Sequence, residues 1–132
     1  MSRKPPDDDE DQELTPNLAL RAYGVGVFPM AERRDSEVIY WVEPRTRGVL
    51  PLEGFRVPKR LRRTIRQGGF EIRTDTAFDA VIDACAEATD QKGREDSWIN
   101  PQIRKLFREL FDHGRVHTVE YWREGALLGG LY

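Results

Sequence analysis

One cysteine, two histidines and two methionines in 132 residues leave little material for several kinds of protein chemistry. The lone thiol, Cys85, cannot close an intrachain disulfide, and a cysteine-built zinc site lacks its ligands. No apolar run approaches the roughly 18 residues that a membrane-spanning helix needs. The opening Met1-Ser2-Arg3-Lys4-Pro5-Pro6 leads into acid rather than an apolar stretch, so it does not read as a secretory signal. These shortages point to a soluble, cytoplasmic protein with no metal, no cofactor and no membrane partner.

What is present is enough to fold. Hydrophobic residues make up 39% and charged residues 33%, and three Trp, four Tyr and six Phe supply bulky core material. The net charge of −2 hides an uneven distribution: residues 1–13 hold six acids and two bases, leaving 19 bases against 17 acids in the rest. Residues 1–14 read as a disordered acidic leader, because the run has almost nothing apolar to bury. The body is nearly neutral, so any argument for a nucleic-acid partner has to come from a local cluster.

Thr15-Pro16 is a helix start, with Thr15 as cap and Pro16 at the first helical position. That helix should run to Gly24. Gly24-Val25-Gly26 invites a dinucleotide-loop reading, but Pro29 occupies the third glycine position and no strand precedes it, which rejects the motif. Val38–Val42 reads as a strand and Val49-Leu50-Pro51-Leu52 as a short edge piece. Pro58 opens a helix to about Arg66, stopped by Gly68-Gly69. Phe70–Arg73 alternates as a strand, and Asp75 or Thr76 is positioned to cap a helix that aligns Ala77, Phe78, Val81, Ile82 and Cys85 on one face. After the polar loop Asp90–Asp96, Asn100-Pro101 starts a helix with Ile103, Leu106, Phe107, Leu110 and Phe111 on its stripe and Gly114 as its stop. Two strands, Val116–Arg123 and Ala126–Tyr132, follow around Glu124-Gly125. The fold class is α+β. Because Ala126–Tyr132 is apolar and lacks a polar cap, it reads as a chain stopping inside a sheet.

The segment from Phe55 to Arg66 carries six bases and no acid. At helical spacing Lys59, Arg62, Arg63 and Arg66 share one face, and Leu61 and Ile65 anchor the other. Like charges at i, i+3 and i+4 disfavour a helix by about 0.2–0.5 kcal/mol per pair, a cost that a polyanion offsets while releasing counterions. A merely solvated face is the bland alternative, and the apolar side is too narrow for a membrane-surface helix. Met30, Trp98 and Leu131 each read singly as core residues, with Trp98 also placed for a pocket mouth. His117 and Glu120 lie three apart on a strand and point to opposite faces, so they form no acid/base pair. His113 suits a helix C-terminus, and Cys85 reads as inert packing.

Several segments together resemble the leucyl/phenylalanyl-tRNA–protein transferases. They are Leu20–Glu32, containing Ala22-Tyr23-Gly24-Val25-Gly26-Val27-Phe28-Pro29-Met30; Trp41–Pro51; Thr76-Ala77-Phe78; Ser97-Trp98-Ile99; Gly114–Trp122; and Gly129-Gly130-Leu131-Tyr132. The resemblance covers about residues 14–132, in order. It implies transfer of Leu or Phe, with Met as a further candidate, from aminoacyl-tRNA to proteins that begin with Arg or Lys, marking them for degradation through the N-end rule. It implies an N-terminal domain over 15–68 and part of an acetyltransferase-like (GNAT-like) domain over 69–132. Met30, Trp98 and Leu131 then line the pocket for the aminoacyl side chain. Lys59, Arg62, Arg63 and Arg66 hold the tRNA acceptor stem through phosphates, which position without specifying sequence.

The chain also departs from the family pattern. "WWSPxPR" appears as Tyr40-Trp41-Val42-Glu43-Pro44-Arg45-Thr46-Arg47, and "HSxE" as His117-Thr118-Val119-Glu120. The family's Gly-Glu-Ser-Met-Phe-Ser segment and Asp-x-Gln site do not occur in these 132 residues, so the catalytic residues are expected beyond Tyr132 and these residues alone are expected to be inactive. A non-catalytic RNA-binding module is the alternative. An acyl-CoA-dependent acetyltransferase lacks its glycine-rich pyrophosphate loop.

Overall fold

Local chemistry sets the first helix. In the computed structural model, which describes residues 2–3 (backbone only), 13–89 and 95–132, helix α1 spans Pro16–Gly24. The Thr15 hydroxyl accepts from the Leu18 amide at 3.3 Å, and Pro16 follows at the first turn. Helix α1 leads into a sheet of β1 (Ser2–Arg3), β2 (Phe28–Ala31) and β3 (Ile39–Glu43), all antiparallel, with β3 central. The rest of the acidic leader and most of the Asp90–Asp96 loop lie outside the described residues.

The remaining elements are α2 (Lys59–Gln67), β4 (Glu71–Thr74), α3 (Phe78–Ala86), α4 (Pro101–Asp112), β5 (Val119–Arg123) and β6 (Ala126–Leu131). Strands β4, β5 and β6 form a second antiparallel sheet in that order. Helix α3 packs on one of its faces so closely that a Cβ on Gly130 would sit 2.7 Å from Cγ2 of Val81. Only glycine fits there. Asn100 caps α4 by accepting from the Ile103 amide at 2.8 Å, and Pro101 occupies its first turn. The α+β class expected from the sequence is what the structure shows.

One core cluster draws Ala19 from α1, Ala31 from β2, Phe78, Ile82 and Ala86 from α3, Ile99, and Ile103, Leu106, Phe107 and Leu110 from α4. Phe78 stacks on Phe111 at 4.5 Å between ring centres, and Phe107 meets Tyr132 edge-on at 5.0 Å.

Five expectations need correction. Residues 28–31, where the sequence raises no expectation of a strand, form β2, because β3 offers a full row of partners that outweighs the prolyl gap at Pro29. Residues 49–52 form no strand: nothing pairs with them, and Val49 and Leu52 are 87% and 83% exposed. Helix α2 is not anchored, since every one of its residues is exposed. Cys85 is exposed too, and Ala86 takes the buried position instead. Finally, neither Asp75 nor Thr76 caps α3. Ala77 stands at the cap without a side-chain bond to the first turn, and the Glu120 carboxylate of β5 accepts its amide.

Candidate functional site

The basic helix keeps its charges available. Lys59, Arg62, Arg63 and Arg66, with Gln67, line a shallow cleft of about 400 Å³ along α2. Among the described residues no carboxylate pairs with any of these four cations. The arginines of α4 are used differently: Arg104 bridges Asp79 at 3.2 Å and Asp83, while Arg108 bridges Asp79 at 2.9 Å and Asp112 at 2.7 Å. Helix α2 has no acid in its first turn and no side-chain cap, so its dipole adds to the local positive potential at the N-terminal end. Pro58 starts it, and Gly68, at φ +68°, ends it in a backbone region that favours glycine. The result is a cationic rod of nine residues with no counter-charge of its own.

A second arrangement joins β2 to the start of α4. The Ala31 amide donates to the Trp98 carbonyl at 3.2 Å, which lays the chain at Trp98 alongside the end of β2. Asp96 fixes this junction by accepting from the Arg34 amide at 3.1 Å and the Ser97 amide at 2.7 Å. Those hydrogen bonds, Arg34 first, hold its carboxyl below the usual carboxylate range. Asn100 donates to the Ser36 carbonyl at 2.8 Å, a second tie between the β2–β3 loop and the α4 entrance. Alternation along β2 turns Pro29 and Ala31 inward and leaves Met30 half-buried on the other side. Trp98 is 37% exposed, so its indole is open to a ligand. The structure therefore brings Met30 and Trp98 to one neighbourhood. Leu131 lies on β6, beside β5, and is 72% exposed.

Sequence reasoning missed the carboxylate of Glu120. This side chain is fully buried, and its Oε1 accepts from the Thr76 amide at 2.9 Å, the Ala77 amide at 2.7 Å and the Thr118 hydroxyl at 2.8 Å. Its Oε2 accepts from the Thr76 hydroxyl and from the Trp122 indole at 3.0 Å. Burial by itself would raise its pKa, but the hydrogen bonds from Thr76, Thr118, Trp122 and Ala77 outweigh it and lower the value from 4.5 to about 2. Beside it, Asp75 holds φ +60° while its carboxylate accepts from the Thr118 amide at 2.8 Å and meets His117 Nδ1 at 2.8 Å. The His117 contact, then the Thr118 amide, lower the Asp75 pKa. His117 and Glu120 thus do point apart, each to its own partner. The signal available in the sequence was an acid in a strand otherwise suited to burial.

A cleft of about 500 Å³ between α1 and the first sheet is lined by Leu18, Arg21, Ala22, Val25, Val27 and Trp41.

The family model described as leucyl/phenylalanyl-tRNA protein transferase matches residues 49–132, and the model of that family's N-terminal domain matches residues 12–45. The chain belongs to the leucyl/phenylalanyl-tRNA–protein transferase family. It is 59% identical over 119 residues to the leucyl/phenylalanyl-tRNA–protein transferase of Paramagnetospirillum magneticum, covering 90% of this chain and 56% of that relative. It is 54% identical over 120 residues to the protein of the same name from Nitrobacter winogradskyi, covering 91% of this chain and 52% of the relative. The chain therefore spans about half the length of the curated relatives it matches. Among the described residues no helix is long and apolar enough to cross a membrane.

Proposed function

We propose that this chain supplies the aminoacyl-tRNA grip of a cytoplasmic aminoacyltransferase. The substrate is a tRNA charged with Leu or Phe, and Met is a further candidate for the transferred residue. The acceptor is the α-amino group of a protein beginning with Arg or Lys, and the product enters N-end rule degradation. The observation that carries this reading is the unneutralised stripe of Lys59, Arg62, Arg63 and Arg66 in a chain that also leaves Trp98 open beside β2. Phosphates along an acceptor stem suit the stripe, because positioning contacts need charge at helical spacing and no base readout. An apolar pocket built from Met30, Trp98 and Leu131 would sort Leu and Phe from polar side chains, with the flexible thioether fitting both shapes.

In the reaction, the acceptor amine attacks the ester carbonyl carbon. A C–N bond forms, the C–O bond to the tRNA ribose breaks, and the amine proton ends on the leaving hydroxyl. The ester is already activated, so orientation and deprotonation of the amine supply the acceleration. The family's Asp-x-Gln motif is absent from these residues, so the 132-residue chain binds charged tRNA and does not turn it over. The two sheets on either side of Gly68 support an N-terminal unit over 15–68 and part of a GNAT-like unit over 69–132.

Binding of the purified chain to Leu-charged, Phe-charged and uncharged tRNA, titrated with salt, tests the reading. Preference for the charged forms and a steep salt dependence are expected. Equal affinity for all three would leave only a non-catalytic RNA binder. Leucine transfer to an Arg-starting peptide by this chain alone would refute its inactivity.

A further inference from the structure

The segment that enters α4 sorts its side chains against their hydrophobicity. Ser97 and Asn100 are 9% and 1% exposed, while Trp98 between them is 37% exposed. Transfer from water by itself would favour the reverse order. Hydrogen bonds set it instead. The Ser97 hydroxyl accepts from the buried Ile99 amide at 3.1 Å, a local turn of the kind serine favours. Asn100 donates to the Ser36 carbonyl and accepts from the Ile103 amide, each at 2.8 Å. The backbone is therefore held on both sides of Trp98, and the Ala31 amide of β2 holds the Trp98 carbonyl itself.

Ties join this segment to β2 and the loop after it: Ala31 to Trp98, Arg34 to Asp96, Ser36 to Asn100 and Glu37 to Gln102. The last three link residues 62, 64 and 65 apart in sequence, so none of them is a local contact. Asn100 sits in the core and caps α4, so its part is structural. Asp96 differs. A single oxygen, Oδ1, takes the Arg34 amide at 3.1 Å from across the seam and the Ser97 amide at 2.7 Å from beside Trp98. Hydrogen bonds to a charged acceptor are roughly twice as strong as neutral ones. Asp96 is itself exposed, so it supplies this tie without filling the core.

We propose that Asp96 is a positioning residue for the aminoacyl pocket: its carboxylate fixes where the Trp98 indole stands relative to β2, and with it how strictly the pocket selects Leu or Phe. Asp96 acts through Trp98 and touches no substrate. The selectivity rests on the proposed function, in which Met30 and Trp98 line that pocket. The clamp on Trp98 does not. Orientation gives such a clamp its leverage, because a displacement of about 1 Å can cost about 100-fold at a positioned site.

Fluorotryptophan spectra and tRNA binding of the 132-residue chain test both halves. Trp98→Phe assigns the Trp98 signal among the three tryptophans. Asp96→Ala should shift or broaden that signal, leave those of Trp41 and Trp122 in place, and speed exchange at the Ala31 amide. Its preference for Leu-charged over uncharged tRNA should fall about tenfold. Affinity for uncharged tRNA, a matter of the α2 stripe, should not change. Asp96→Asn keeps an acceptor oxygen and should recover part of the preference, and it decides the matter if the alanine variant does not fold. An unmoved Trp98 signal would overturn the clamp. A moved signal with an unchanged preference would overturn its role in selection. A parent chain that binds charged and uncharged tRNA alike would sink the pocket reading and the selectivity assigned to Asp96 with it, whatever the spectra show.

Discussion

Five donors converge on the single carboxylate of Glu120, whereas the four stripe cations of α2 share no carboxylate among the described residues. Around Glu120 every polar group brought out of water has been answered, because an unanswered one would cost free energy comparable to a lost hydrogen bond. Along residues 58–69 the opposite holds: apolar and cationic groups alike face solvent. The first region is organised by its own chain. The second leaves its cations without a carboxylate and its apolar side chains uncovered.

Breaking the open region should change binding and spare stability. Replacing Lys59, Arg62, Arg63 and Arg66 by Gln together should lower tRNA affinity about a thousandfold at 0.1 M salt and flatten the log–log salt slope by about three to four. That is about 4 kcal/mol of binding, with the thermal midpoint unchanged, as filter binding and calorimetry would show. A drop in the midpoint would mean that the stripe is structural after all.

Breaking the closed region should do the reverse. Glu120→Gln removes the charge from a fully bonded carboxylate and should cost about 3 kcal/mol of stability at pH 7, read by urea denaturation. The folded carboxyl is depressed from 4.5 to about 2, so its stabilisation is whole above pH 4.5 and lost as pH falls toward 2. The gap between parent and variant should therefore narrow over that interval. A gap independent of pH would deny the carboxylate its role.

Gly130→Ala forces a Cβ to within 2.7 Å of Val81 Cγ2 and 3.2 Å of Cγ1. Val81 is β-branched and 2% exposed, so it has nowhere to turn, and about 2 kcal/mol should be lost. At another exposed position Leu52→Ser should stay within about 0.5 kcal/mol of the parent, despite removing a large apolar side chain. A substantial loss there would show residues 49–55 to be packed in solution, and would erase the contrast.

Legibility followed the range of the interactions. Helix α4 could be read outright, because its cap Asn100, Pro101 and apolar stripe lie within twelve consecutive helical residues and their border. The basic stripe was equally plain, since four positions on nine residues settle which side they share. Strand β2 escaped notice because its evidence is the register with β3, ten or so residues away, and Pro29 argued locally against it. The stretch from Val49 to Leu52 looked like a strand and is none, for want of a neighbour. Asp75 and Thr76 lie at the entrance of α3 without capping it, and the carboxylate that takes the Thr76 and Ala77 amides, Glu120, is 44 and 43 residues further on.

By itself, then, the sequence determined the helices, the caps of α1 and α4, the α+β class, the segregation of cations on α2 and the family motifs, all of which depend on neighbours along the chain. The tertiary structure alone decided that Glu120 would be a buried anion, that Trp98 would lie alongside the end of β2, and that every residue of α2 would face solvent. Burial and solvation are properties of what lies across space, and residues distant in sequence supply them only once the backbone has closed upon itself.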